Sequence, residues 1–177
     1  MKNNFIEKRM FYRLPFEETL LMTDGSQTVV GTALNISRGG LFLKSLQPLP
    51  LDSRGHVTFL LPGHPKSLCI KAKVAHLVFD RQRAEVDCGM GLQFVEIDSS
   101  HQSLIDAFID KEKEAYLSLQ RVLKERRPIV SEIEKHFKQL PELQGLELSS
   151  LRYKVNRICT IFEADPALKV GGAGGKS

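Results

Sequence analysis

The chain has no tryptophan and only three tyrosines. A groove for single-stranded nucleic acid needs aromatic platforms on which bases stack, and little here could supply them. Phe11, Tyr12, Phe42, Phe59 and Phe94 alternate with apolar neighbours and read as core. The three cysteines, Cys69, Cys88 and Cys159, are odd in number and show no CxxC spacing. They suit neither a zinc site nor a disulfide framework, and reduced, mostly buried thiols are expected. His56, His64, His76, His101 and His136 have no metal-ligand spacing, so no metal is expected. No P-loop or dinucleotide fingerprint occurs, and Ser37 lies in no GxSxG elbow. The expectation is a protein that is not an enzyme and carries no cofactor. No run approaches the ~20 apolar residues that span a bilayer. The basic opening residues lead into no apolar stretch of a secretory leader, so a cytoplasmic location is expected.

What is present is an ordinary globular composition: 177 residues, 42% hydrophobic and 26% charged. That is enough apolar material for a core. The net charge of +4 is mild. It is compatible with an anionic ligand and too small to argue for duplex nucleic acid.

From Phe16 to Phe94 the pattern alternates with a period of two. Strands are predicted at Phe16–Met22, Val29–Ile36, Leu41–Leu43, Val57–Leu61, Ile70–Phe79 and Val86–Phe94. Asp24-Gly25-Ser26, Pro48 with Pro50, Pro62-Gly63 and Asp80–Arg83 punctuate them as turns and loops. Short strands at regular intervals predict an all-β barrel or sandwich.

After Asp98 the texture becomes helical. Ser99 or Ser100 is a plausible N-cap, and Leu104, Ile105, Phe108, Ala115, Leu119 and Val122 fall mostly on one stripe. Five charged residues, Asp110 to Glu114, interrupt that stripe, and one long helix is expected through them, its first turns packed on the barrel. Pro128 stops or kinks the helix. Residues 129–139 and 148–162 read as further helices, and Gly171 to Gly175 as a flexible tail.

Two polar motifs stand out. The first, Arg9-Met10-Phe11-Tyr12-Arg13, places two guanidiniums four positions apart. Arginine grips phosphate bidentately and stacks on flat rings. The second, Asn35-Ile36-Ser37-Arg38-Gly39-Gly40, is a polar turn between apolar stretches. Its Asn and Ser can read the edge of a base, and its glycines allow close backbone approach. Together they suggest a pocket for a compact, anionic, purine-containing molecule. Alone, each has a bland reading, as surface salt bridges or as a hairpin turn.

The RxxxR at Arg9–Arg13, the Asn-x-Ser-x-x-Gly at Asn35–Gly40, and the closing strand Gly89–Phe94 with a helix after it resemble the PilZ domain over roughly residues 5–110. The resemblance implies a bacterial source and a mainly β plus α fold. That fold is a six-stranded antiparallel barrel followed by a long helix and a helical extension. It implies cyclic di-GMP as ligand, a dinucleotide with two phosphodiesters and two guanines. Arg9 and Arg13 would clamp phosphates and stack on or bond guanine. Asn35 and Ser37 would bond a guanine edge or a phosphate, and Gly40 would admit the ligand. Lys8, Arg38 and Gly39 flank these positions, and His76 and Gly91 lie where the barrel wall would contribute.

The expected organisation is a ligand-binding arm at 1–14, a barrel with the start of a capping helix at 15–110, a helical extension at 111–168, and a tail at 169–177. The arm is expected to order when ligand binds and the extension to relay that to a partner protein, or to self-associate. The alternatives are a small barrel for single-stranded nucleic acid, or an inert barrel on an oligomerising helical scaffold.

Overall fold

The computed structural model describes residues 12–79 and 88–163. Six strands, β1 (Leu14–Thr23), β2 (Thr28–Ser37), β3 (Gly40–Lys44), β4 (Arg54–Leu60), β5 (Ser67–Val78) and β6 (Gly89–Glu96), close into an antiparallel barrel in the order β1-β2-β3-β6-β5-β4. The predicted barrel is thus present. β1, β2 and β3 run a little beyond their predicted ends, β4 and β5 begin three residues earlier and end one residue sooner, and the predicted start of the last strand at Val86 lies outside the described residues. Closure leaves no unpaired edge. Alternation fills the interior: Leu20 and Met22 on β1, Leu41 and Leu43 on β3, Val57 and Phe59 on β4, Ile70 and Ala72 on β5, and Met90 and Leu92 on β6 are all buried.

The register slips at three places that matter for the outer surface: between Ala33 and Asn35 on β2, and between Lys71 and Ala72 and between Val74 and His76 across β5 and β6. A bulge adds one residue to one strand and re-aims the side chains beyond it.

Three α-helices follow among the described residues: α1 (Ser99–Lys124), α2 (Val130–His136) and α3 (Leu148–Glu163), with a 3-10 turn at Pro141–Leu143. The N-cap of α1 is Asp98 rather than Ser99 or Ser100. Its carboxylate accepts from the backbone N–H of Ser100 and of His101, and these bonds, with the Ser100 hydroxyl foremost, hold its pKa down at about 2. As expected, α1 is one long helix that runs on through the charged stretch Asp110–Glu114. A second correction concerns the thiols, of which only Cys159 is buried; Cys69 is exposed and Cys88 half-buried.

The chain divides into two compact units. One is the barrel with the first turns of α1, Arg13–Ile109. There Phe16 meets Phe59 and Phe108 edge to face, at 6.0 and 5.8 Å between ring centroids. The other holds Tyr12 and the residues from Asp110 onward. Its core is Tyr116, Leu119, Leu123, Ile133, Leu143, Leu151, Val155, Cys159 and Phe162. Tyr12 is buried there against Phe162, 4.9 Å between centroids, with the Lys113 ammonium over its ring. No described helix is long and apolar enough to cross a membrane.

Candidate functional site

The Asn35–Gly40 motif is the last part of β2, a two-residue turn and the first residue of β3. Ser37 pairs with Gly40 across the turn, and its buried hydroxyl donates to the Gly40 carbonyl at 3.1 Å. The turn is fixed on two further sides. The Gly39 carbonyl accepts from the Phe94 N–H at 2.9 Å. The Arg38 guanidinium meets the Asp106 carboxylate of α1 at 3.2 Å, and Gln102 bonds both Asp106 and the Arg38 carbonyl. A turn held this way is preorganised and loses little freedom on binding.

Arg13 is brought to this corner by strand register. It immediately precedes Leu14, which pairs with Ile36, and Pro15 pairs with Asn35. Arg13 is half-buried. Arg9 and Lys8 lie outside the described residues.

The slip between Ala33 and Asn35 leaves Ile36 inside the barrel and Asn35 in register with Phe42. Phe42 in turn pairs with Gly91, and Gly91 with His76. Because Leu41, Leu43, Met90 and Leu92 fill the interior, Phe42 and Gly91 point to the outer side of the sheet, where both are nonetheless buried. The His76 ring lies over Gly91 and stacks on Phe42, 6.1 Å between centroids at 30°. A Cβ on Gly91 would come within 1.8 Å of that ring, so glycine is what lets the imidazole lie there. The result is one transverse row, Asn35–Phe42–Gly91–His76, with an amide at one end and an exposed imidazole at the other.

Two features were not legible in the motif itself. The Asn35 side-chain oxygen is buried and has no hydrogen-bond partner among the described residues. Such an acceptor costs about 1–3 kcal/mol until a donor reaches it. Gly40 has a packing reason to be glycine, since a Cβ there would stand 2.1 Å from the Leu92 carbonyl oxygen. Phe42, Gln102 and Asp106 were absent from the predicted site. Phe42 gave the signal of an outward position flanked by two inward leucines, whereas the part of Asp106 depends on where α1 lies against the turn. Among the described residues no group of His, Cys, Asp and Glu could hold a metal ion.

The family model of the PilZ domain matches residues 7–111. No curated protein matches the chain in sequence. Among solved structures, the inhibitor of motility MotI/DgrA of Bacillus subtilis is 18% identical at a TM-score of 0.50, over 62% of this chain and 53% of that one. The chain therefore spans about half the length of that protein. The PilZ domain of YcgR from Escherichia coli, solved with c-di-GMP, is 14% identical over 62% of this chain and 95% of that one, at a TM-score of 0.48.

Proposed function

The chain belongs to the PilZ domain family, and from that premise we propose that it is a cytosolic receptor for cyclic di-GMP whose helical extension passes the signal to a protein partner. The observation that carries this reading is the buried oxygen of Asn35, without a donor among the described residues, at one end of a row that strand register sets near Arg13. Guanine offers donors at N1 and at its exocyclic amine, which an amide oxygen accepts. Its O6 and N7 offer two acceptors to a guanidinium fork. Arg13, with Arg9 from the arm, neutralises the phosphodiesters and covers a base. The exposed His76 ring, lying over Gly91 and backed by the buried Phe42, supplies an aromatic surface for a base. Ser37 and Gly40 shape the corner, and the Arg38–Asp106 ion pair braces it.

The relay runs through residue 12. Tyr12 is packed in the helical unit against Phe162, and the next residue is the ligand-gripping Arg13. Residues 1–14 act as the arm, 15–110 as the receiving barrel, 111–168 as the output and 169–177 as a tail. Closing the arm on ligand pulls on an aromatic side chain that the helices hold. Two guanidinium contacts plus the turn support micromolar affinity, about −8 kcal/mol.

The test is a competition on the full chain. Cyclic di-GMP should bind and resist displacement by a single-stranded oligonucleotide, and the Asn35 side-chain amide resonances should shift on binding. Oligonucleotide binding with no response to cyclic di-GMP would refute the reading.

A further inference from the structure

Arg38, in the turn between β2 and β3, is held at both its side chain and its main chain by one helix. Its guanidinium meets the Asp106 carboxylate at 3.2 Å. The Gln102 amide nitrogen donates to the same carboxylate at 2.8 Å and to the Arg38 carbonyl at 3.4 Å. These contacts close a ring, from guanidinium to carboxylate to amide and back to the main chain of the same arginine. A primary amide has two N–H donors, one for each of these acceptors. The next two carbonyls of the turn are engaged as well, that of Gly39 by the Phe94 N–H and that of Gly40 by the Ser37 hydroxyl. Of the three bonds, the one to Arg38 comes from a helix and the other two from strands.

Gln102 and Asp106 are four residues apart on α1 and so lie one above the other. Ile105 and Ile109 of the same helix are buried, and Phe108 meets Phe16 of β1. Apolar burial seats a helix without fixing its direction. An ion pair joined to an amide fork is directional, so it sets the rotation of α1 and its place along its axis.

We propose that Asp106 and Gln102 are positioning residues for the ligand corner, and that cyclic di-GMP, by binding at the turn, tightens the seat of α1 on the barrel. This rests on the cyclic di-GMP reading and names a second route out of the site, beside the one at Tyr12. Arg38 here is a link and not a phosphate ligand, because Asp106 already matches its charge. The two halves of the proposal are one thermodynamic statement. If the seated helix holds the turn ready for ligand, the occupied turn holds the helix seated by the same factor. α1 is continuous from Ser99 to Lys124 and passes at Asp110 into the helical unit. A firmer seat for its first turns is therefore delivered to the output along a single rigid element.

Calorimetry and amide hydrogen exchange on the full chain test this. Asp106→Ala should weaken cyclic di-GMP binding about three- to fivefold, the scale of an ion pair with a third of each side chain exposed. Arg38→Ala should do the same, and the two together should lose no more than either alone, since they break one link. Saturating ligand should slow amide exchange at residues 103–109 of the native chain by about the same factor, and the slowing should be absent in Asp106→Ala at saturation. Mere loosening of α1 would speed exchange with and without ligand alike and would not imitate that difference. Binding by Asp106→Ala as tight as native or tighter would make the carboxylate a competitor for Arg38 and overturn the proposal. Exchange at 103–109 indifferent to ligand, or losses that add in the double variant, would overturn it too while leaving the ligand reading intact. A native chain that takes up no cyclic di-GMP refutes that reading and this proposal with it.

Discussion

Replacing Asn35 by leucine should separate binding from folding with effects of opposite sign. The Asn35 oxygen is buried without a donor among the described residues, in a row whose next member is Phe42. Leaving an acceptor in that state costs about 1–3 kcal/mol, and an apolar group of the same shape removes the cost. Part of the side chain is exposed, which offsets some of the gain, so Asn35→Leu should stabilise the empty protein by about 1 kcal/mol. In a chain of this size that is a rise in Tm of about 2–4 °C. Cyclic di-GMP affinity should fall, since a base contact of this kind is worth about 1–3 kcal/mol. Saturating ligand should then raise the Tm of the native protein well above that of the variant, reversing their order. Thermal unfolding with and without ligand reads both effects in one assay. A variant that melts lower than the native protein without ligand, or one that keeps full affinity, refutes the reasoning.

Gly40→Ala should damage the barrel as well as the site. Its Cβ would sit 2.1 Å from a backbone oxygen, and forced overpacking of this sort costs about 1–3 kcal/mol, read as a lower Tm without ligand. An unchanged Tm would mean that the β3–β6 spacing adjusts freely. In the helical unit, burial and then the nearby Glu142 charge raise the Glu112 carboxyl from 4.5 to about 7. The folded state therefore binds the proton more tightly than the unfolded state does. Stability should be greatest below the unfolded value and fall as pH rises from about 4.5 through 7, with the full penalty present above. Glu112→Gln should flatten that slope and, allowing for solvent screening of a half-exposed group, gain about 1–2 kcal/mol at alkaline pH. Urea midpoints on either side of the window decide it, and equal slopes for both proteins would contradict it.

The barrel could be read from the sequence because closed antiparallel sheets impose strict alternation. Leu20 with Met22 and Leu41 with Leu43 show it without ambiguity. What alternation cannot reveal is register. The row Asn35–Phe42–Gly91–His76 exists because of slips at Ala33/Asn35 and Val74/His76, and a bulge adds a residue without leaving a mark in the hydrophobic pattern. Arg13 and the Asn35–Gly40 turn were recognisable as motifs, and the structure brings them to one corner. The engagement of Ser37 with Gly40, and the orphaned oxygen of Asn35, are consequences of packing that composition does not carry.

At the helix start, Asp98 won over two serines because its carboxylate reaches the N–H groups of Ser100 and His101 together. Five successive charges span a full turn of α1, and two of them, Glu112 and Lys113, are half-buried, Lys113 over the Tyr12 ring. The helix runs on through them as expected, since Glu and Lys are good helix formers. Cys69 is exposed because it shares the outward phase of β5 with Lys71 and Lys73, a phase that its apolar character hid.

The most direct test of the account is calorimetric titration of cyclic di-GMP into the native chain and into Arg13→Ala. Arg13, set by strand register at the Asn35–Gly40 corner, predicts micromolar binding to the former and at least a tenfold loss in the latter, about 1.4 kcal/mol or more. Equal heats and equal affinities for the two proteins would contradict it.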